Sequence, residues 1–316
     1  MQNHTKGIIY ASVTAFFWGF LAVALKIAVR EVEPQTIVWF RFVVAFIILA
    51  SWQAFKNPSS FKIMTKPPLL LILAALALSW NYMSYMLGVH YTTPSNAQLF
   101  IQTGPILLAV AGFIFFKEKL NRNQVIGFAI AILGLSFFYR DQLAAFFDSR
   151  GQYNLGVGFT LTSAFAWATF AIIQKKLVSK YSVESLNLFL FGLPAILFIP
   201  FVNFAPLFHL HWSWWLLLLF LGANTFIAYT CLAQALKYTE ANKVSVIIII
   251  NPIITFITMG VLTKLNVSWI AHERFSMLTI LGASLVITGA ILVAKKRKTA
   301  SHKLSQNSDK IAETRE

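Results

Sequence analysis

Long apolar runs separated by short polar breaks follow one another along the chain as far as residue 294. A helix needs about 20 mostly apolar residues to cross the hydrocarbon core of a bilayer, and ten runs approach that length. Unpaired backbone groups are costly in lipid, so the runs must form helices or a closed barrel, and the alternating pattern of barrel strands is missing. The predicted helices lie near residues 8–29, 36–54, 69–90, 95–116, 122–140, 155–177, 184–203, 214–236, 241–263 and 276–294.

The composition agrees with an all-α membrane protein of ten transmembrane helices. Hydrophobic residues make up 58% of the chain and charged residues 12%, whereas a typical soluble domain has about 45–50% and about 25%. The net charge of +15 is concentrated between the apolar runs and in the tail. We therefore expect the lipid bilayer as a partner and no nucleic acid.

Lys and Arg are distributed unevenly between the two sets of alternating loops. If the N-terminus is cytoplasmic, 19 of the 26 basic residues lie on the cytoplasmic side and five on the other. Because cytoplasmic loops are enriched in Lys and Arg, the bias predicts that the N-terminal segment 1–7 and the basic tail 295–316 both face the cytoplasm.

The two halves of the chain contain matching residues. The segment YTTPSNAQLFIQTGP (residues 91–105) aligns with YTEANKVSVIIIINP (residues 238–252) at a constant offset of 147 residues. Each half has five predicted spans, and this odd number makes the two copies cross the membrane in opposite directions. The sequence thus predicts two inverted five-helix repeats, residues 8–140 and 155–294. Further matches pair Phe16, Trp18 and Lys26 with Phe165, Trp167 and Lys175.

The fourth and ninth predicted spans each contain a proline, Pro105 and Pro252, at matching positions. Proline lacks a backbone N–H and crowds the carbonyl four residues earlier, so both prolines are expected to break their helices, the first together with Gly104. Irregular backbone is tolerated within a membrane where protein or a watery cavity receives it. For a single proline an ordinary kink is the preferred explanation, but a matched pair favours a cavity between the halves, as in secondary transporters.

Polar side chains within the spans supply amides, hydroxyls and aromatic rings with almost no formal charge. Such groups tend to face the interior of a helical bundle, and together they suit a zwitterionic or neutral polar solute. For each residue taken singly, bridging between helices is the favoured role. The residues predicted to bind substrate are Trp18, Asn81, Tyr82, Tyr85, Asn96, Gln98, Gln102, Trp167, Asn224, Tyr229, Ser245 and Asn251.

The lack of acidic residues well inside the spans and of clustered metal ligands also restricts the function. None of the eleven acidic residues falls well inside a predicted span, so we expect no intramembrane carboxylate relay. A facilitator, an exchanger or a carrier that uses a histidine such as His90 fits this pattern. The histidines and Cys231 lack the spacing of metal ligands, and no motif of an embedded enzyme occurs. We expect no metal and no cofactor, while a channel stays open because a polar lining also suits ion or solute flow.

Several segments resemble the EamA branch of the drug/metabolite transporter superfamily. They are FRFVVAFIIL in the second span, QTGPILLAVAGFIFFKEKL with its proline and glutamate, and their counterparts in the second half. The resemblance covers roughly residues 8–294. It implies a carrier of the bacterial inner membrane that exports amino acids or other small metabolites. It also implies a central cavity lined by the first, third, fourth, sixth, eighth and ninth spans.

The charged residues near or within the spans are expected to be structural. Arg41 lies inside the second span and is a candidate for a substrate carboxylate, but the resemblance places that span outside the cavity. Snorkelling or bonding to helix-end carbonyls is therefore the favoured role. Lys26 and Lys175 are expected to snorkel, and Glu118 and Glu273 are expected at helix N-termini.

Overall fold

The computed structural model of the chain describes residues 2–118, 121–140, 151–267 and 276–294. These residues form twelve helices of at least eight residues and no strand, which confirms the all-α prediction for the described part of the chain. The helices are α1 (Gln2–Ala28), α2 (Pro34–Lys56), α3 (Leu69–Tyr91), α4 (Pro94–Ile101), α5 (Thr103–Ile114), α6 (Arg122–Phe138), α7 (Gln152–Leu177), α8 (Val183–Leu197), α9 (Trp212–Tyr238), α10 (Ala241–Ile248), α11 (Asn251–Lys264) and α12 (Met277–Ala294).

Four short helical turns connect the longer helices. They are Pro58–Phe61, Lys62–Thr65, Ile199–Phe201 and Ala205–His209. The first two join α2 to α3, and the last two join α8 to α9.

Eight helical segments of the described chain are long and apolar enough to cross a membrane. The segments Pro94–Ile114 and Ala241–Lys264 each combine two helices, α4 with α5 and α10 with α11. Two predicted spans are shorter than expected, because α6 has 17 residues and α8 has 15. At 1.5 Å per residue, they measure about 26 and 22 Å, less than the roughly 30 Å of the hydrocarbon core. In α8, Pro194 lies near the C-terminal end, and a 3-10 turn follows that end.

Helices from the two halves of the sequence pack closely together. Helix α1 packs along α9, α3 packs along α7, and α6 packs along α12. The broken spans cross between these pairs, since α10 and α11 lie against α1 while α4 and α5 lie against α7. Helix α2 contacts both α8 and α9. The core is therefore built from contacts between distant parts of the chain.

Glycines allow the close contact between α6 and α12. A methyl group on Gly134 would lie 2.8 Å from the Gly282 carbonyl oxygen, and one on Gly282 would lie 2.7 Å from the Gly134 carbonyl oxygen. Gly127 and Gly289 make the same kind of contact further along the pair. Small residues at such positions let membrane helices gain packing that larger side chains would prevent.

Lysines fix the C-terminal ends of α3 and α9. The Lys26 ammonium donates to the carbonyl oxygens of Val89 (3.0 Å), His90 (3.1 Å) and Thr92 (2.8 Å). The Lys175 ammonium bonds to the carbonyl oxygens of two residues at the end of α9, Leu236 and Thr239. In addition to the expected snorkelling, which stays a prediction, both lysines bond to helix-end carbonyls, because carbonyls without a helical partner attract cations.

Glu118 caps a helix in the other half of the chain. Its two carboxylate oxygens accept hydrogen bonds from the backbone N–H groups of Ala241 (2.7 Å) and Asn242 (3.1 Å) at the start of α10. The helix that follows Glu118 in sequence is capped by Asn121 instead. A carboxylate at a helix N-terminus was expected, but its helix is a distant one. Glu273 lies outside the described residues.

The contact between α6 and α12 predicts a specific loss of stability. We expect Gly282→Val to lower the free energy of unfolding by about 1–3 kcal/mol, since its side chain has no space beside Gly134. Gly158→Val is the matched control, because Gly158 is also helical and a methyl group there meets nothing within 4 Å. Thermal unfolding of both variants in detergent measures the difference, and equal stability of the two would contradict the proposed packing.

Candidate functional site

Each broken span is interrupted one turn before its proline or beside it. Helix α4 ends at Ile101 and α5 begins at Thr103, with Gln102 between them. Helix α10 ends at Ile248, and α11 begins at Asn251 directly before Pro252. Because proline has no N–H, the carbonyl four residues earlier loses its helical partner. At both breaks the chain forms a tighter turn whose hydrogen bond spans three residues in place of four, from Gln102 N to Leu99 O and from Ile250 N to Ile247 O.

The two breaks meet inside the protein. The Gln102 side-chain amide donates to the Asn251 side-chain oxygen at 3.1 Å and to the Gln98 carbonyl oxygen at 3.0 Å. Gly104 allows α5 to approach α7 at this level, because a methyl group on it would lie 3.0 Å from the Trp167 ring. The polar groups at both breaks are thus placed against protein and not against lipid, as irregular backbone in a membrane requires.

A cavity lies beside the breaks, and the empty space in and around it, part of which is open to solvent, amounts to about 510 Å³. It is lined by the six spans that the family resemblance implies and also by α2. Nine of the twelve residues predicted to bind substrate line it, together with Pro105. They are Trp18, Asn81, Tyr82, Tyr85, Gln98, Gln102, Trp167, Tyr229 and Asn251.

Three predicted residues do not line the cavity. The Asn224 side chain donates to the Phe17 carbonyl oxygen at 2.7 Å and so joins α9 to α1. The Ser245 hydroxyl donates to the Ala241 carbonyl oxygen within α10. Asn96 is buried near the start of α4. For Asn224 and Ser245, the structure favours helix bridging and local bonding, the alternatives that apply to any polar residue in a membrane helix.

Arg41 faces the cavity from α2. Its side chain is 2% exposed, its Nε–H group donates to Thr225 Oγ1 at 3.1 Å, and its guanidinium carbon lies 4.3 Å from the centre of the Tyr82 ring. The expectation that Arg41 snorkels or bonds helix-end carbonyls is therefore wrong. Its depth in the second span was visible in the sequence, but the side of α2 that faces the cavity was not.

Aromatic rings form one wall of the cavity. The Trp18 ring contacts the Trp167 ring edge to face at 5.8 Å and the Tyr229 ring at 5.4 Å, and Tyr229 lies 5.5 Å from Tyr82. These arrangements hold the rings in place, because edge-to-face pairs are favourable beyond the area that they bury. The wall therefore presents fixed aromatic surfaces to any solute in the cavity.

Several buried polar atoms of the lining have no hydrogen-bond partner in the described part of the protein. Buried polar atoms are nearly always bonded to protein, water or ligand, so these atoms are available to a solute or to water in the cavity. Hydroxyl or indole donors are Tyr85 Oη, Trp18 Nε1 and Trp167 Nε1, and amide acceptors are Gln98 Oε1 and Gln102 Oε1.

Acidic residues and metal ligands are not found in the cavity lining. Within residues 2–118, 121–140, 151–267 and 276–294, no group of three or more His, Cys, Asp or Glu side chains is placed to hold a metal ion. His90, considered above for proton coupling, is exposed at the end of α3, and its carbonyl oxygen is bonded by Lys26. The chemistry of this site is therefore hydrogen bonding, aromatic contact and the single charge of Arg41.

A helical membrane protein with a polar cavity between broken helices has the architecture of a membrane transporter. The EamA-like transporter family matches the chain over residues 5–140 and 154–295. The chain belongs to this family.

Similar proteins cover nearly the same length. An uncharacterized transporter of Haemophilus influenzae is 30% identical over 304 residues, which is 96% of this chain and 99% of that protein. The uncharacterized inner membrane transporter YhbE of Escherichia coli K12 is 30% identical over 93% of this chain and 92% of its own. A crystal structure with 16% identity and a TM-score of 0.70 covers 92% of this chain and 97% of its own, and it shares the fold.

The bond between Gln102 and Asn251 predicts energetic coupling between the two breaks. Hydrogen bonds between membrane helices contribute about 0.6 kcal/mol on average and up to about 1.7 kcal/mol. In a double-mutant cycle, we expect Gln102→Ala and Asn251→Ala to show a coupling energy in this range. The measurement is unfolding of the single and double variants in mixed micelles.

The exposed Ser136 serves as the control partner in the same cycle. Its hydroxyl bonds within α6 to the Ile132 carbonyl oxygen. The effects of Gln102→Ala and Ser136→Ala are expected to add. Additive effects for Gln102 and Asn251 as well would show that the bond between the breaks contributes nothing.

Proposed function

We propose that the protein is a secondary transporter that moves small polar metabolites across the membrane and exports amino acids or related compounds. The observation that carries this proposal is the cavity at the two helix breaks, with its buried and unpartnered polar atoms. Transport proceeds by alternating access, in which one group of helices rocks against the other and opens the cavity to each side in turn.

Two inverted five-helix repeats, residues 8–140 and 155–294, form the moving units in this proposal. The packing supports it, since exchange of the two halves converts the pair of α1 with α9 into the pair of α7 with α3. Lys26 and Lys175 occupy matching positions and bond the ends of α3 and α9, which also match. These paired features are what duplication and inversion of one ancestral unit would leave.

Both termini face the cytoplasm, and the protein resides in the inner membrane of a bacterium. The distribution of Lys and Arg supports this orientation. One similar protein is an inner membrane transporter of Escherichia coli K12. In this orientation, the Lys26 end of α1 faces the outer side, and the Lys175 end of α7 faces the cytoplasm.

The chemistry of the cavity suits amino acids better than lipids or large drugs. Amide oxygens of Gln98 and Gln102 accept hydrogen bonds from an ammonium or a hydroxyl group. Indole and phenol donors bond to carboxylate or carbonyl oxygens. A zwitterion needs both kinds of partner, whereas a hydrocarbon would leave these buried atoms unsatisfied at a cost of about 1–3 kcal/mol each.

The proposal is tested by comparing metabolites in cells with and without the gene. We expect one or a few small polar compounds to accumulate in the medium when the protein is produced. The leading compounds are then measured in proteoliposomes by counterflow, which requires a saturable carrier. Flux that rises linearly with concentration and shows no counterflow would indicate a channel and contradict the proposal.

The aromatic wall and the second break predict defined losses of transport. Trp167→Ala removes a ring that contacts Trp18, and Asn251→Ala removes the partner of Gln102, so each is expected to lower counterflow several-fold at normal protein levels. Trp52→Ala is the matched control, because Trp52 is 59% exposed on α2 and lies away from the cavity. Unchanged flux in both cavity variants would exclude these residues from the transport site.

A further inference from the structure

Arg41 is a buried cation without a counter-charge. Among the described residues, the ion pair in the structure joins Lys243 to Glu240, and no carboxylate pairs with Arg41. Among the described residues, the Nε–H group of Arg41 donates a hydrogen bond to Thr225 Oγ1. The guanidinium group also lies over the Tyr82 ring, but neither a hydroxyl nor a ring carries the negative charge that would neutralise it.

This arrangement is costly in a membrane. Arginine stays protonated in proteins, and a charge deep in a span normally pairs with another charge or reaches water. Removing a charge from water without a partner is more costly than burying a pair. The cost falls when an anion occupies the cavity beside the guanidinium group, so the site favours a negatively charged group.

We propose that Arg41 recognises a carboxylate of the transported solute, with the two terminal nitrogens of the guanidinium group bonded to the two carboxylate oxygens. This inference rests on the proposed transport function and names the chemical group that the cavity selects. Thr225 holds Nε and Tyr82 supports the flat face of the guanidinium group, so the fork of the terminal nitrogens is oriented before a solute arrives.

The charge balance favours a carboxylate over a phosphate. The lining contributes one formal charge, that of Arg41, and one carboxylate neutralises it completely. A phosphate monoester carries nearly two negative charges at neutral pH, and the second would stay buried without a partner. Tyr85 Oη, which is unpartnered and lines the same cavity, supplies a further donor for an oxygen of the bound group.

A purely structural role predicts different behaviour. In that case, Arg41 joins α2 to α9 through Thr225, and its replacement lowers stability whether a ligand is present or not. Recognition of a carboxylate predicts in addition that ligands lacking the negative charge bind poorly to the unaltered protein. The decisive comparison is therefore between two ligands of equal shape, and it needs no variant.

Benzoate and benzamide form such a pair of probes. Each is added in the millimolar range to the full chain in detergent, at an ionic strength held equal with sodium chloride. Thermal stability is followed by the fraction of a fluorescent fusion that stays monodisperse after heating. We expect benzoate to raise the melting temperature in a saturable manner and benzamide to give no such rise. An equal shift, or no shift with either probe, would overturn the proposal.

Variants of Arg41 test whether this residue causes the stabilisation by benzoate. Arg41→Lys keeps the charge but loses the planar fork, and we expect it to weaken benzoate binding about 10- to 100-fold, the factor for a lost charge-assisted hydrogen bond. Arg41→Gln is expected to abolish the shift. Lys56→Gln is the matched control, because Lys56 is an exposed cation at the end of the same helix. Full benzoate protection of Arg41→Gln would refute the assignment.

Chloride and inorganic phosphate separate a carboxylate site from a general anion site. Neither is expected to give a saturable shift that depends on Arg41. A shift with chloride or phosphate that equals or exceeds that with benzoate would overturn the assignment of a carboxylate.

Different results would contradict the carboxylate site at Arg41 and the transporter proposal. If counterflow occurs but the transported compound and its amide compete equally, recognition by Arg41 is wrong and the transporter proposal stands. If no counterflow occurs but benzoate protects the protein through Arg41, the carboxylate site stands and the transporter proposal is wrong. Counterflow that is inhibited by the acid and not by its amide supports both.

Discussion

The need to bond every backbone polar group inside a membrane determines the centre of this protein. Pro105 and Pro252 each leave a carbonyl without its helical partner, and lipid offers no replacement. The chain places the two breaks against each other, with the amide of Gln102 bonded to Asn251. A polar interior follows from this arrangement, because amides, hydroxyls and indoles that satisfy or surround the breaks must also point away from lipid. The cavity is thus a consequence of where the helices are interrupted.

Several charged side chains bond to the ends of helices. Lys26 and Lys175 bond carbonyls where α3 and α9 end, and Glu118 bonds N–H groups where α10 begins. These contacts fix the short connections that lead into the broken spans. Arg41 differs because it lies on the cavity and lacks a partner of opposite charge. The other charges stabilise the architecture, whereas this one gives the cavity a preference among solutes.

Apolar runs of about 20 residues are strong signals, and they predicted the helical membrane fold and most of the spans. Matching motifs in the two halves located Pro105 and Pro252, and the cost of polar groups in lipid led to nine of the lining residues. The side of each helix that faces the cavity was not predictable, because these helices are apolar on nearly all faces. For this reason Asn224 was expected to line the cavity and Arg41 was not, and the shortness of α6 and α8 was missed.

If the cavity is a transport site, water and solute reach the two helix breaks. The most direct measurement is the reactivity of a single cysteine at Gln98, in a chain that carries Cys231→Ser, toward a thiol reagent that cannot cross membranes. Cysteine at the exposed loop residue Ser59 reports labelling of an accessible position. The cysteine at position 98 is expected to be labelled by the reagent from at least one side of the membrane. The transported compound is expected to protect it from this labelling. If the cysteine at position 59 is labelled from its own side and the cysteine at position 98 is labelled from neither side, the cavity is closed to solute and this expectation is wrong.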